Sequence, residues 1–248
     1  MSEMPTTRAL FGFDVIGSSS NDDDQLDDVR QAADELVAEA FDHTGVDAGA
    51  RVNYSGTGDG YLAAFPESSL PALIDAAHFL HGRLYMRNRR SLPAIRLRLA
   101  VHTAPIHVVD GDSFQRPMIE LARLLDAAAV KDIVRRLADR RPVTVVTVLS
   151  AQAFRSAVQA GHTSRLVKHD FSPLVIANKE FEETSWVWVP GVVLDSLPPL
   201  TPPDPQPEPA EPTLAGGTQV INGGVQGTGF IGTNSGPIVN NYVGRKRP

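Results

Sequence analysis

Apolar and polar positions change period several times along the first two-thirds of the chain. Ala9–Val15 is an apolar run interrupted only by Asp14 and predicts a first strand. From about Asp24 to Asp42 the apolar residues Leu26, Val29, Ala33, Leu36, Val37 and Ala40 fall at helical spacing. The acidic start of this helix (Asp22, Asp23, Asp24) complements the positive end of its dipole. Arg51–Ser55 and Tyr61–Phe65 flank Gly56-Thr57-Gly58-Asp59-Gly60, the pattern of a β-hairpin with glycine in the turn. Leu70 to Asn88 predicts a second amphipathic helix with a basic end at Arg87, Arg89 and Arg90. Ile95–His102 and Ile106–Val109 read as strands separated by Pro105, and Arg116–Leu137 as helix with a break near Ala128. Val143–Leu149 is a buried-type strand, Ala151–Ala160 a helix and Ser185–Val189 a closing strand. The order β-α-β-β-α-β, with further elements after it, predicts a ferredoxin-like α+β fold with helices on one face of a mixed sheet.

The periodicity stops near Leu197. Residues 198–212 read PPLTPPDPQPEPAEP, which supports neither helix nor inner strand because proline lacks the N–H. It reads as an extended spacer. Thr213 to Gly244 then contains no Lys, Arg, Asp or Glu. The predicted organisation is a globular domain over 1–192, a Pro-rich linker over 193–214 and a Gly/Asn-rich tail over 215–248.

Composition narrows the function. The 23 Lys plus Arg against 29 Asp plus Glu give a net charge of −6, which disfavours a nucleic-acid partner. The absence of cysteine excludes disulfides, thiolate metal sites and a Cys nucleophile. Met1–Arg8 has no basic stretch followed by an apolar one, and no apolar run reaches the ~20 residues needed to cross a bilayer. The expectation is a cytoplasmic protein with no membrane partner.

Two carboxylates carry the candidate chemistry. Asp14 ends the first strand and Asp59 sits at the hairpin tip. In a β-α-β-β arrangement the two meet at one edge, where paired carboxylates suit hard cations such as Mg²⁺ or Mn²⁺. Gly58 and Gly60, on either side of Asp59, let a triphosphate approach the backbone. Taken singly, Asp14 is equally an ordinary strand-end residue and Asp59 an ordinary turn former, since Asp-Gly is a common hairpin dipeptide. His78 and His81 stand three apart on a helix, a spacing that can bind metal but more often marks a half-buried face. His102 and His107 read as structural.

Several motifs in order resemble the class III adenylate and guanylate cyclase family. Phe11-Gly-Phe-Asp-Val-Ile-Gly17 is similar to its first metal motif and Ser55-Gly-Thr-Gly-Asp-Gly60 to its second. Leu97-Arg-Leu-Ala-Val-His-Thr103 resembles its central strand and Glu120-Leu-Ala-Arg-Leu124 the helix that follows. Asn178-Lys-Glu with Trp186-Val-Trp-Val-Pro190 resembles the way bacterial, especially actinobacterial, relatives close the domain. The resemblance covers Ala9 to Pro190. It implies two ions of Mg²⁺ or Mn²⁺ on Asp14 and Asp59, a bound nucleoside triphosphate, and attack of the ribose 3′-hydroxyl on the α-phosphorus with loss of pyrophosphate. It further implies that Arg123 stabilises the transition state, that Lys179 binds the triphosphate, and that the site forms between the two chains of a head-to-tail homodimer.

Departures from the family pattern sharpen the expectation. Ile119 stands where an asparagine usually places the ribose, a change worth about 3 kcal/mol by analogy with loss of one transition-state donor; Gln115 and Glu120 are the candidates to replace it. Tyr54 and Ser55 occupy the base-reading region where many relatives place a lysine. Both are expected to bind substrate, and they favour a pyrimidine, UTP or CTP, as in the bacterial cyclases that answer phage infection. In the tail, Val220-Ile221, Phe230-Ile231 and Ile238-Val239 separated by Gly, Asn and Thr resemble amyloid-type signalling motifs, implying a partner with a similar segment. The alternative for the tail is a flexible low-complexity segment. The alternative for the whole is a cyclase fold without turnover that senses a nucleotide and signals through its tail.

Overall fold

The structure is a computed structural model, described for residues 4–17, 23–108, 115–137, 143–178 and 181–194. The tail and the linker beyond Leu194, like Lys179, lie outside the described residues.

A seven-stranded sheet forms the centre, in the order β2-β3-β1-β4-β5-β7-β6. Its strands are β1 (Thr6–Val15), β2 (Val52–Gly56), β3 (Gly60–Pro66), β4 (Leu97–Ile106), β5 (Val145–Leu149), β6 (Ser172–Asn178) and β7 (Phe181–Trp188). Among the described strands only β4 and β5 pair in parallel; β1 pairs antiparallel with both β3 and β4, and β7 pairs antiparallel with β5 and β6. The helices are α1 (Asp23–Thr44), α2 (Leu70–Asn88), α3 (Arg116–Leu125), α4 (Ala128–Leu137) and α5 (Ala151–Ala153), which continues as a π-helix over Phe154–Gln159.

The helices cover both faces of the sheet, not one as the sequence order suggested. Ala9, Phe11, Phe13 and Val15 of β1 bury against α1, α2 and α5, whereas Leu10 of the same strand packs with Met118, Leu121, Val130 and Ile133 of α3 and α4. A strand apolar at successive positions must be covered twice, because successive side chains point to opposite faces. Edge-on ring contacts tie the first face together: Phe13 to Tyr61 at 4.8 Å, and Phe41 to Phe11 and Phe65 at 5.1 and 5.4 Å.

Three further elements differ from expectation. β4 runs unbroken through Pro105: its described pairing with β5 ends at Val101, so beyond that point one edge has no ladder for proline to disrupt. β6 was not visible in the sequence because its alternation is exposed and it begins Ser-Pro. The π-helical continuation of α5 places Phe154 flat on Trp186, with ring centroids 3.8 Å apart. The break in the Arg116–Leu137 helix falls between Leu125 and Ala128.

Candidate active site

The β1–β3 register brings Asp14 opposite Gly60, so the end of the first strand and the hairpin turn meet as expected. Gly60 is required there: a Cβ at this position would lie 1.9 Å from the Phe13 carbonyl oxygen. The turn is closed by the Thr57 N–H donating to the Gly60 carbonyl at 3.0 Å, and Gly58 within it has φ +96°, left-handed backbone that favours glycine. Asp59 is half-buried beside Asp14, close enough to act on its charge.

Asp14 itself is held by a residue that sequence reading did not single out. Arg98 of β4 donates from Nε to Oδ1 at 2.8 Å and from Nη2 to Oδ2 at 2.6 Å, a bidentate pair whose side chains are 13% and 11% exposed. Burial pushes the Asp14 carboxyl above its ordinary 3.8, Arg98 opposes the shift, and Asp59 and Asp126 add to it. Strand alternation puts Asp14, Arg98 and Ala100 on the α3–α4 face.

Two cavities flank this strand end. One, of about 480 Å³, is lined by Asp59, Thr57, Gly58 and the first turns of α1 at Leu26, Asp27 and Arg30. The other, of about 370 Å³, lies on the α4 side and is lined by Ile16, Gly17, Arg96, Arg98, Lys131 and Arg135. Lys131 also pairs with Asp126, and Arg135 with Asp132.

The remaining site candidates are dispersed. Ser55 pairs with Leu62 of β3 and so shares the face of Asp14. Tyr54, 37% exposed, turns to the other face, 5.2 Å from the Tyr61 ring and 4.7 Å from the Arg51 guanidinium carbon. Arg123 is half-buried in the last turn of α3. Ile119 is 40% exposed one turn earlier. Gln115 is engaged elsewhere: it accepts from the His107 N–H at 2.8 Å and donates to the His107 carbonyl at 2.7 Å, tying α3 to the end of β4. Glu120 pairs with Arg116 at 2.9 Å and approaches His102 at 3.6 Å. Neither is free to stand in for the missing asparagine within its own chain.

His81 shares a 2.6 Å hydrogen bond with Thr144, and among the described residues no group of three or more His, Cys, Asp or Glu is placed to hold an ion. His102 is buried, which pushes its pKa below the ordinary 6.5, with Glu120 opposing. Among the described residues no helix is long and apolar enough to cross a membrane.

No protein-family model and no curated protein matches the chain by sequence. Solved structures do match. An adenylate/guanylate cyclase/hydrolase from Silicibacter pomeroyi superposes with a TM-score of 0.54 at 22% identity, over 77% of this chain and 99% of that one. A bacterial light-regulated adenylyl cyclase matches with a TM-score of 0.50 at 10% identity, over 74% and 90% of the two chains. The chain thus has the α+β fold of the class III cyclase catalytic domain.

Proposed function

We propose that this protein is a metal-dependent nucleotidyl cyclase that converts a nucleoside triphosphate to a 3′,5′-cyclic nucleotide and pyrophosphate. The observation that carries this reading is the meeting of Asp14 and Asp59 at one sheet edge, enforced by Gly60, on a cyclase-type fold. The donor set fits Mg²⁺ or Mn²⁺, which is commonly bound by one or two carboxylates completed by substrate phosphates rather than by a full protein cage. When bound, the ions supply Lewis acidity toward the ribose 3′-hydroxyl and the α-phosphate.

The chain's own residues divide the remaining work. Gly58 leaves room for phosphate oxygens at the backbone, whereas Gly60 is closed against β1, and the cationic cavity beside Arg98 offers countercharge for the polyphosphate. Lys179, outside the described residues, is the residue that the family resemblance assigns to the triphosphate. Arg123 serves the site of a second chain in a homodimer and steadies charge on the α-phosphate as the 3′-oxygen attacks. Ser55, on the face of Asp14, reads the base, whereas Tyr54, also expected to bind substrate, is turned to the other face in its own chain; a pyrimidine is the favoured substrate. Antiphage signalling, with the tail recruiting a partner, is the setting that fits this reading.

A second reading, a nucleotide sensor without turnover, is favoured by one observation. Ile119 is exposed where a ribose-placing polar group is expected, and Gln115 and Glu120 are committed elsewhere. Incubating the purified protein with Mn²⁺ and all four ribonucleoside triphosphates, with mass spectrometry of the products, separates the two. A cyclic nucleotide made by the wild type and not by Asp59→Ala supports the cyclase and names its base. Nucleotide binding without product supports the sensor.

A further inference from the structure

The carboxylate assigned to metal binding already holds a cation. Arg98 occupies both oxygens of Asp14, and the pair is largely shielded from water. The fork takes one lone pair of each oxygen, and in so shielded a place its positive charge repels a second cation, so a divalent ion competes with the guanidinium for this carboxylate. The space open to that guanidinium is the adjoining cavity of about 370 Å³, which Arg98 already lines. Among the described residues its other charged lining residues are Arg96, Lys131 and Arg135, with no carboxylate in the lining itself; Asp126 and Asp132, which pair with Lys131 and Arg135, offset this charge only in part. A released Arg98 would enter a cluster of like charge, which opposes release until an anion fills the cavity. Phosphate oxygens suit such a place, because the guanidinium fork binds them through paired N–H donors.

We infer that Arg98 and a divalent cation exchange at Asp14, so that an oxyanion in the Arg96–Lys131–Arg135 cavity and a metal on Asp14 promote one another's binding through this single side chain. The inference rests on the reading of Asp14 as a metal ligand. The coupling is reciprocal: whatever the anion adds to metal affinity, the metal adds to anion affinity. It makes Asp14 a poor ligand for a stray ion and a good one when metal and polyphosphate arrive together.

The test is Mn²⁺ binding to the full chain, read from the free-ion electron paramagnetic resonance signal, so that no turnover is needed. Arg98→Gln removes the competitor and is expected to tighten Mn²⁺ binding about tenfold or more, the scale set by charge-assisted hydrogen bonds. Arg98→Lys, which keeps the charge but loses the fork, is expected to fall between, and it keeps the test alive if the glutamine variant folds poorly. Arg96→Gln removes equal charge from the same cavity without touching Asp14 and is expected to change binding by less than about threefold. Sulfate, compared with chloride at equal ionic strength, is expected to tighten Mn²⁺ binding to the wild type and not to Arg98→Gln. Unchanged or weaker binding by both Arg98 variants, or an equal sulfate effect in wild type and Arg98→Gln, overturns the exchange. Asp14→Asn separates the two levels of the argument. If it abolishes Mn²⁺ binding while the Arg98 variants behave like wild type, the metal site stands and the exchange falls. If it binds Mn²⁺ as the wild type does, the metal reading of Asp14 falls and the exchange with it.

Discussion

At the residue scale, Gly60 and His102 carry the sharpest consequences. A methyl group at position 60 has only the β1 backbone to push against, at 1.9 Å from a carbonyl oxygen, so Gly60→Ala must separate β1 from β3. The expected cost is about 3 kcal/mol, read as a lowered urea midpoint, together with loss of any activity that needs Asp14 and Asp59 side by side. His102 sets a pH dependence. Burial holds its pKa below 6.5 in the folded chain, so the unfolded chain binds the proton more readily. The associated stability is therefore complete above pH 6.5 and is lost as pH falls from there toward the folded pKa. His81, lowered by burial and by His78, adds in the same direction. Thermal midpoints measured across this range should fall on acidification, and His102→Gln should flatten the fall. Asp14, Asp59 and the flanking glycines were legible in the sequence because residue type and turn chemistry announce them. Arg98 was not, because its meaning comes from a partner 84 residues away that only the β1–β4 register supplies.

At the scale of elements, the sheet and its helices were largely legible from periodicity, and the failures have physical causes. The continuous apolar runs of β1 and β5 mark burial on both faces, but periodicity alone does not say which helix covers which face. The loop after α5 shows how an isolated polar residue organises an element. Asp75 on α2 is buried, and its carboxylate accepts the backbone N–H groups of Ser164, Arg165 and Leu166 at 2.7, 2.9 and 3.2 Å. Asp75→Ala leaves three N–H groups to find water and is expected to cost about 3 kcal/mol. Limited proteolysis should then cut near Arg165 at protease levels that spare the wild type, whereas an unchanged cleavage pattern would show that the loop is held by other contacts. Gln115 acts similarly at the N-terminal end of α3, donating to the His107 carbonyl at 2.7 Å, and Asn53 of β2 donates to the same carbonyl at 3.1 Å. They fix the helix that carries Ile119 and Arg123 against the end of β4.

At the scale of the whole molecule, the proposed function carries a quaternary requirement, since in that reading Arg123 serves the site of a second chain. In the proposed cyclase one chain presents the carboxylates at the end of β1 and a second chain presents Arg123 to complete each site. Arg123→Ala on its own should lower kcat by about 10²- to 10³-fold while leaving Mn²⁺ binding intact, since the residue acts on the transition state and not on the metal. The most direct measurement is complementation. Asp59→Ala and Arg123→Ala, each purified alone, should be nearly inactive with Mn²⁺ and the triphosphate that the wild type uses. Mixing them should restore a fraction of wild-type turnover, because a heterodimer contains one site with both its carboxylates and a partner arginine. Activity in the wild type that never returns on mixing, with mixed dimers shown to form, would contradict a site shared between two chains.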